Sequence, residues 1–396
     1  MKPNIYYVML ENIDNEVMSS QVFSFLQCLK ELGHENVELI ALTKRSSGVR
    51  DLRNIRFPTK LYRNYGARDV RTYLNIMRLM FYLWIVNLFR KNNVIIFRNV
   101  HTGILLYVLM LILSNRKYVL DLRGAFVEEI SLRGIIKSDN KRLIQVIRFV
   151  EKKVYKKVSK IFCVSNVLEK YVYEQVKDAG QVEVVPCCVS AEMKRYSNDC
   201  DAIVKRREDL GVKADEILFV YAGSLNRWNV PHLMIEMFER LVRLGIKGKF
   251  LILTKDVDEI LKLLKNKYPL NRSKYLIRSV KHEDVDGYLR AADVGFLVRE
   301  KNKVNEVACP VKFAEYLCCG VPVIITKYVG DLEDLVRNND IGIVIEDCDL
   351  EKVDLNQLKQ SILYIKTNRG AYMKKCMEFA FNYFDRNNYL HKYDFK

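Results

Sequence analysis

The chain has 396 residues, of which 49% are hydrophobic and 29% are charged, with 17 glycines and 7 prolines. This length predicts about two domains, and the composition excludes a disordered chain, a collagen-like repeat and a disulfide scaffold. The formal net charge is +17, from 65 Lys and Arg against 48 Asp and Glu.

The positive charge is concentrated in one region. Residues 51–160 hold 23 Lys and Arg against 7 Asp and Glu, whereas the rest of the chain holds 42 against 41. Such a region attracts nucleic acid, anionic lipid or phosphorylated substrates, and charge alone does not choose among them. A solubilising surface is the other interpretation. No recognised DNA- or RNA-binding module is present, so no nucleic acid partner is expected.

Cysteine spacing predicts a cytoplasmic protein without a zinc site. The ten cysteines include no C-x-x-C pair and no nearby pair of histidines, and two pairs are vicinal. Residues 5–10 follow no positively charged leader and predict a buried strand, not a signal peptide. The most apolar later run, 103–114, is too short to span a bilayer, so no transmembrane helix is expected.

The first half of the chain alternates strand and helix patterns. Strand-like runs lie at 6–10, 37–42, 94–98, 118–122, 160–164 and 182–185, and helical patterns lie at 21–32, 70–91, 142–158 and 167–176. Ser165 stands at the N-cap position of the last helix. Residues 74–91 have too many apolar positions for one narrow stripe, so most of this segment is expected to be a core helix.

The second half repeats the alternation after a polar, irregular stretch at 187–200. Strands are predicted at 217–221, 250–253, 275–280, 294–298, 321–325 and 341–345, with helices at 233–244, 257–264, 311–319 and 332–336 and a short helix ending near 290. Two such runs predict an α/β protein with two doubly wound parallel sheets. Ligands bind beyond the carboxyl ends of such strands, so the default active site is the cleft between the sheets.

Residues 308–324 form the most informative segment. Pro310 is tolerated at a helix start, and Gly320 is expected to end the helix. Lys312 and Glu315 are three residues apart and so share a face near the helix N-terminus. That end favours anions, lysine adds a charge, and glutamate accepts hydrogen bonds from sugar hydroxyls. The pattern suits a nucleotide diphosphate, and a surface ion pair is the alternative.

A second segment follows the first strand of the second half. Gly223 allows a phosphate to approach the backbone, Ser224 can donate to it, and Arg227 can neutralise it. Farther along, His282 precedes a short helix, and Arg299 stands at the carboxyl end of a strand.

Together these blocks resemble the C-terminal domain of retaining GT-B glycosyltransferases of the family-4 type. The resemblance rests on Tyr-Ala-Gly-Ser-Leu at 221–225, on His282 through Ala292-Asp293, and on Pro-Val-Lys-Phe-Ala-Glu-Tyr-Leu at 310–317. It covers about residues 215–345. The similar enzymes assemble bacterial capsule, O-antigen or other surface polysaccharides.

The resemblance implies a GT-B fold of two Rossmann-like domains. We expect an acceptor domain at 1–190, a nucleotide-sugar domain at 200–370, and a closing helix and tail at 371–396 that return to the first domain. Gly223, Ser224 and Arg227 would contact the donor diphosphate, and Arg299 and Lys312 would balance its charge. Glu315 would hold the ribose, and His282 would lie near the base.

One carboxylate departs from the family pattern. The family separates two glutamates by seven residues, and counting back from Glu315 reaches Val307, whereas Glu306 is one position off. Glu306 is the candidate for the missing contact to the donor sugar. In the first domain, Asp121 and Arg123 are candidates to line the acceptor cleft, and a charge pair that holds the loop is the alternative.

The resemblance implies transfer with retention, without a metal or other cofactor. The donor would be a UDP- or GDP-linked sugar, and the basic first domain would suit an acceptor on a polyprenyl diphosphate at the inner face of the cell membrane. We therefore expect a cytoplasmic protein bound peripherally to that surface. The alternatives are a sugar-nucleotide epimerase or hydrolase of the same fold, or a non-catalytic partner in polysaccharide assembly.

Overall fold

The structure, a computed structural model, describes residues 2–395 except 14–17, 45–56, 67–68, 91, 114–115, 137–139, 190–199, 226–228 and 268–272. The chain divides into two compact units. Unit 1 comprises Met1–Cys188 and Arg386–Lys396, and unit 2 comprises Val189–Asp385. The tail expected at 371–396 is therefore divided, because its helix lies in unit 2 and only its last segment lies in unit 1.

Unit 1 is built around a parallel sheet with helices on both faces. Its elements are β1 (Asn4–Met9), α1 (Ser24–Glu31), β2 (Val37–Thr43), β3 (Thr59–Arg63), α2 (Val70–Phe89), β4 (Asn93–Arg98), α3 (Asn99–Leu105), α4 (Tyr107–Ile112), β5 (Lys117–Leu122), α5 (Phe126–Leu132), α6 (Lys141–Lys157), β6 (Lys160–Cys163), α7 (Asn166–Gln175) and β7 (Gln181–Val184). A π-helical turn, Ser19–Phe23, precedes α1, and a 3-10 helix, Arg386–Tyr393, ends the chain.

The strand order in unit 1 is β3-β2-β1-β4-β5-β6-β7, with every pair parallel. The order reverses between β1 and β4, which is where such sheets bind ligands. These two central strands are buried on both faces, which explains their continuous apolar sequences. The Ser165 hydroxyl accepts a hydrogen bond from the Leu168 amide, 3.0 Å, so the predicted N-cap is confirmed.

The helices of unit 1 divide between the two sheet faces. Side chains of α1 and the C-terminal Tyr393 and Phe395 cover one face in a single hydrophobic cluster. The other face lies under α2, α3 and α6. Tyr82 of α2 donates a hydrogen bond to Glu38 of β2, and Gly103 of α3 lies close to Phe97 of β4 and Val154 of α6. This division follows from right-handed crossovers on either side of the reversal point.

The outer side of helix α2 is exposed. Its exposed residues include Tyr73, Met77 and Phe81. The expectation of a core helix over most of 74–91 is therefore wrong for this outer side. By length and composition, α2 is the one helix in the described residues that could cross a membrane.

Unit 2 repeats the architecture with a six-stranded parallel sheet. Its elements are α8 (Cys200–Asp209), β8 (Ile217–Ala222), α9 (Pro231–Arg243), β9 (Gly248–Leu253), α10 (Val257–Lys267), β10 (Tyr275–Arg278), a 3-10 helix (His282–Asp284), α11 (Val285–Ala291), β11 (Val294–Leu297), α12 (Lys303–Glu306), α13 (Val311–Cys318), β12 (Val323–Thr326), α14 (Leu332–Asn339), β13 (Gly342–Ile345), α15 (Leu355–Thr367) and α16 (Arg369–Tyr383). The strand order is β10-β9-β8-β11-β12-β13, so the order reverses between β8 and β11.

Helix α13 begins after Pro310 and ends before Gly320, the two residues from which its bounds were predicted. Pro310 precedes its first turn, and Gly320 follows its last with φ +73°. A side chain at 320 would meet Met373 of α16 as well as the strained backbone, so glycine is needed there. The next strand, β12, then enters the sheet beside β11. The predicted helix end at Gly320 is confirmed.

Candidate functional site

The candidate site of unit 2 begins with the turn after β8. Gly223 has φ +138°, a conformation that L side chains rarely adopt, and its amide donates to the Leu253 carbonyl, 2.8 Å. The Leu225 amide donates to the Asp256 carboxylate, 2.9 Å. Asp256, which lies shortly after β9, therefore holds the turn.

Lys312 lies against this turn. A Cβ added to Gly223 would overlap the Nζ and Cε of Lys312, so the glycine provides the space that the lysine occupies. The Lys312 ammonium donates to the Tyr221 hydroxyl, 3.1 Å, and its Nζ lies 4.5 Å from the centre of the Tyr221 ring. Thus the helix α13 N-terminus and the β8 turn, predicted from separate motifs, are brought together.

Tyr221 connects Lys312 to the turn after β8. Its hydroxyl donates to the Ser224 carbonyl, 2.6 Å, and the Asn229 amide group donates to the same oxygen, 2.9 Å. Burial raises the pKa of Tyr221 above its ordinary value, while the charge of Arg299 opposes that rise. The phenol therefore stays protonated and can donate to Ser224 while it accepts from Lys312.

Arg299 completes the cationic group at the end of β11. Its guanidinium donates to the Asn305 side-chain oxygen, 3.2 Å. Its backbone amide donates to the hydroxyl of Thr326 in β12, and that hydroxyl donates to the Arg299 carbonyl. Burial lowers the pKa of Arg299 to about 10, so the group is still cationic at neutral pH. Among the described residues, no carboxylate forms an ion pair with Arg299. A desolvated cation of this kind is stabilised by a bound anion.

The remaining predicted donor residues lie on neighbouring segments. Glu315 follows Lys312 by one helical turn in α13 and is half-buried, and His282 begins the 3-10 helix His282–Asp284. Glu306 forms an ion pair with Lys303 of its own short helix, 3.5 Å between Oε2 and Nζ. Val307, at the spacing expected for the family glutamate, is fully buried. Arg227 lies outside the described residues.

Asn305 is a residue that the sequence interpretation missed. Glu306 was the predicted replacement for the family glutamate, but it is the neighbouring Asn305 that contacts Arg299. Asn305 is fully buried, donates to the Glu300 carbonyl, 2.9 Å, and carries a backbone amide that donates to the Asn302 side chain, 3.0 Å. The N-cap pattern at Asn302 was the signal that could have identified this loop.

Unit 1 places its two predicted residues in a buried ionic network. Arg123 Nε lies 2.8 Å from an Asp121 carboxylate oxygen. The other Asp121 oxygen accepts from Tyr7, 2.5 Å, and lies 3.4 Å from Arg98. Burial alone would raise the pKa of Asp121, but the charges of Arg123 and Arg98 and the Tyr7 hydrogen bond lower it overall. Asp121 is therefore ionised at neutral pH.

The network extends to the first loop through Glu11. Arg98 Nε donates to one Glu11 oxygen, 3.0 Å, and the Asn99 side chain donates to the other, 2.5 Å. Asn99, with φ +59°, also accepts from the Arg123 amide, 3.0 Å. Two arginines thus face two carboxylates, which is the arrangement expected of a charge set that holds a loop. A catalytic role for Asp121 or Arg123 stays a prediction.

Comparison with known proteins identifies one family that is similar to part of this chain. Residues 203–375, all within unit 2, match the family Glycosyl transferases group 1. This stretch of unit 2 is similar to that family, and it contains Tyr221, Gly223, Arg299, Lys312 and Glu315. The curated proteins include no sequence relative that matches this chain.

Solved structures match the whole chain at low sequence identity. Anabaena Alr3699/HepE in complex with UDP has 13% identity, a TM-score of 0.70, and coverage of 98% of both chains. Sucrose-phosphate synthase from Thermosynechococcus elongatus has 16% identity, a TM-score of 0.69, and coverage of 98% of this chain and 97% of that one. WaaG, a glycosyltransferase involved in lipopolysaccharide biosynthesis, has 13% identity, a TM-score of 0.68, and coverage of 99% and 100%. The predicted fold, with two Rossmann-like domains of the GT-B type, is confirmed.

Proposed function

We propose that this protein transfers a sugar from a nucleotide-sugar donor, with retention and without a metal, to a lipid-linked saccharide acceptor. One observation carries the proposal: Lys312 fills the space over Gly223 and contacts Tyr221, and Arg299 follows the adjacent strand β11. This places two cations and a glycine turn at the carboxyl ends of adjacent strands, where doubly wound sheets bind phosphates. Solved neighbours crystallised with UDP and with UDP-glucose favour a UDP-linked donor.

The proposed chemistry needs charge stabilisation more than a protein base. As the bond from the anomeric carbon to the diphosphate oxygen breaks, negative charge grows on the diphosphate. Arg299 and Lys312 stabilise that charge in a partly desolvated site. The acceptor hydroxyl oxygen bonds to the anomeric carbon from the same face, and its proton passes to the departing diphosphate. Retention is proposed on the resemblance of the three motif blocks.

The proposed acceptor is inferred from the charge of the first half of the chain. Its basic charge suits a saccharide on a polyprenyl diphosphate, and assembly of a surface polysaccharide would require such a substrate. The WaaG neighbour, with its role in lipopolysaccharide biosynthesis, supports this choice. The proposed location is the cytoplasmic side of the cell membrane.

Nucleotide binding tests the donor proposal directly. Thermal unfolding is measured with UDP, GDP and ADP for the wild type, Lys312→Gln, Glu315→Ala and the control Lys374→Gln, an exposed lysine of α16. We expect one nucleotide to stabilise the wild type and the control, with about tenfold weaker binding to the Lys312 and Glu315 variants. Stabilisation by none of the nucleotides would contradict the proposal.

A second candidate function is nucleotide-sugar binding without transfer. It is favoured by Val307, which is buried where the family has a glutamate, and by the pairing of Glu306 with Lys303. Incubation with UDP-glucose and a lipid-linked acceptor distinguishes the two functions. Release of UDP that depends on the acceptor supports transfer, release in water alone supports a hydrolase, and tight binding without release supports the non-catalytic partner.

A further inference from the structure

A groove lies along one edge of the unit 2 sheet. Strand β13 is the last in the strand order, and α14 and α15 pack on opposite faces of the sheet beside it. The groove between these helices has a volume of about 920 Å³, within the range of sites that hold drug-sized ligands. None of the described donor residues lines it. We call this cavity the edge groove.

Helix α15 forms a polar wall of the edge groove. Its apolar side packs on the sheet, and its groove side presents Gln357, Gln360, Ser361 and Tyr364. The spacing of these four residues, i, i+3, i+4 and i+7, places them on one face of the helix. In the described parts of the chain, the side chains of Gln357, Gln360 and Ser361 have no hydrogen-bond partner. Two amides and a hydroxyl can therefore donate to a ligand and accept from it.

Tyr364 adds an exposed aromatic ring to this wall. It is 62% exposed, and its ring is perpendicular to that of Tyr372 with a centroid distance of 6.3 Å. Tyr372 is itself held by a hydrogen bond from its hydroxyl to the Asp340 carboxylate, 3.1 Å. The Tyr364 ring is therefore supported on one side and leaves most of its surface open to a group that stacks on it.

The backbone of β13 forms the floor of the edge groove. The Lys327 amide donates to the Ile345 carbonyl, 3.2 Å, on the side of β13 that faces β12. Backbone groups alternate in direction along a strand, so those of Gly342 and Val344 point away from β12 and into the edge groove. The floor thus adds peptide donors and acceptors to the polar groups of the α15 wall.

The charges in the edge groove do not favour an anionic ligand. Arg337 lies 2.6 Å from the Glu346 carboxylate, and Lys352 forms ion pairs with two aspartates of its own loop. Asp340 lies 2.6 Å from the Lys375 ammonium. Three carboxylates and two cations line the edge groove, so no net positive charge is available to a phosphate. These residues suit a neutral, polar ligand.

A peptide strand added to β13 is the other occupant that a sheet edge suggests. However, β13 has only four residues, and charged residues lie close to both of its ends, Asp340 before it and Glu346 after it. Short edge strands with charged neighbours are features by which proteins prevent such pairing. The free amides of α15 and the exposed ring of Tyr364 are better matched by a ligand with many hydroxyl groups and an apolar ring face.

We propose that the edge groove binds a neutral oligosaccharide, with one pyranose ring stacked on Tyr364 and with hydroxyl groups bonded to Gln357, Gln360 and the β13 backbone. A pyranose combines C–H groups on its faces with hydroxyl groups around its rim, which is the combination that this site presents. The volume holds a few linked rings. The inference rests on residues of unit 2 alone and is independent of the proposed transferase activity.

Binding of neutral hexasaccharides to the full chain tests the site. Maltohexaose, cellohexaose, mannohexaose and chitohexaose are titrated with and without UDP, and binding is measured by saturation-transfer NMR. We expect at least one of them to bind, and Tyr364→Ala to lower its affinity about tenfold because the stacked ring is lost. Tyr364→Phe keeps the ring and should bind nearly as well as the wild type. The matched control, Tyr173→Ala, alters an exposed tyrosine of unit 1 and should bind as the wild type does.

Two further measurements locate the bound saccharide. In methyl NMR spectra, the signals of Ile343 and Ile365, which line the edge groove, should shift on binding, whereas that of Ile252 in β9 should not. The Lys312→Gln variant, altered at the donor turn, should bind the saccharide as the wild type does. Equal thermal unfolding temperatures for all variants would show that each one folds.

Several outcomes would overturn the proposal. The first is a wild type that binds no hexasaccharide of the panel, and the second is a Tyr364→Ala variant that binds as well as the wild type. Loss of binding with UDP or in Lys312→Gln would place the saccharide at the donor turn instead. Shifts of the Ile343 signal with a short Thr-Val repeat peptide, and with none of the saccharides, would assign the edge groove to strand addition.

Discussion

At the scale of single residues, the two units differ in the partners of the charged side chains at their strand ends. In unit 1, Asp121 and Glu11 are matched by Arg98 and Arg123, so that site is electrically balanced without a ligand. In unit 2, Arg299 contacts a neutral amide and Lys312 contacts a neutral phenol. Among the described residues, Arg299 is therefore a cation without a carboxylate partner, although most of the excess positive charge in the sequence lies in the first half.

Glu151 gives a residue-scale prediction about pH. It is fully buried in α6, and burial raises its pKa to about 7, while a hydrogen bond from Tyr155 opposes the rise. The folded state then holds a proton that the unfolded state releases. Protonated Glu151 therefore contributes a stability that is complete below the pKa of this carboxyl in the unfolded chain and is lost as the pH rises through about 7.

The variant Glu151→Gln should remove that pH dependence. Between pH 5 and pH 8, the free energy of unfolding should shift in favour of the variant, relative to the wild type, by about 2 kcal/mol. Urea unfolding at several pH values measures the difference. Glu174→Gln, at an exposed position of α7, is the control. Parallel curves for wild type and Glu151→Gln would contradict the assignment.

At the scale of elements, Asp293 joins three helices of unit 2 to its central strand. Its carboxylate is fully buried and lies 2.9 Å from Arg207 of α8, 3.2 Å from Lys366 of α15 and 2.9 Å from Arg369 of α16. It also accepts from the Leu218 amide of β8, 2.8 Å. The aspartate of the Ala-Asp motif block is thus a structural residue and lies apart from the donor contacts.

Asp293→Asn should therefore destabilise unit 2 strongly. The change leaves three cations around a neutral amide, and loss of one partner from a buried ionic group costs about 3–5 kcal/mol. Guanidinium unfolding provides the measurement. Asp215→Asn, which breaks the exposed pair with Lys247, should change the midpoint little. A small effect of Asp293→Asn would show that the helices are held by apolar packing instead.

The sequence predicted the elements whose patterns are regular and missed those set by tertiary contacts. The buried central strands and the motif helix α13 were recognisable because apolar runs, Pro310 and Gly320 act locally. Strand β3, Thr59–Arg63, is half-exposed and polar, and it is a strand because it pairs with β2. The contact of Arg299 with Asn305 depends on the loop fold, which spacing alone does not determine.

At the scale of the whole molecule, unit 1 is built from both ends of the chain. Arg386 donates to the Ser20 carbonyl, 2.9 Å, and Lys392 donates to the Val184 carbonyl, 2.8 Å. The Tyr393 ring packs on Phe25 with a centroid distance of 5.0 Å, and Phe395 is buried beside Phe162. Tyr393 and Phe395 are therefore part of the unit 1 core.

Phe395→Ala should consequently weaken unit 1. Truncation of a buried phenylalanine costs about 3–5 kcal/mol, here in the cluster that covers α1. Hydrogen exchange should show lost protection in α1 and β6. Tyr364→Ala, at an exposed position of unit 2, should have little effect. Loss of protection confined to unit 2 peptides would refute the placement.

The return of the chain to unit 1 has a consequence for biosynthesis. About 200 residues separate Cys188 from Arg386, and a ribosome takes on the order of 10–40 s to add them. Throughout that interval, the nascent unit 1 lacks Tyr393 and Phe395, so the apolar surface around Phe25 and Phe162 is uncovered. Unit 2 can complete its own sheet before unit 1 is finished. Most of unit 1 is therefore synthesised before unit 2 but is completed after it, and the nascent chain is most exposed to chaperones and proteases until Tyr393 and Phe395 have emerged.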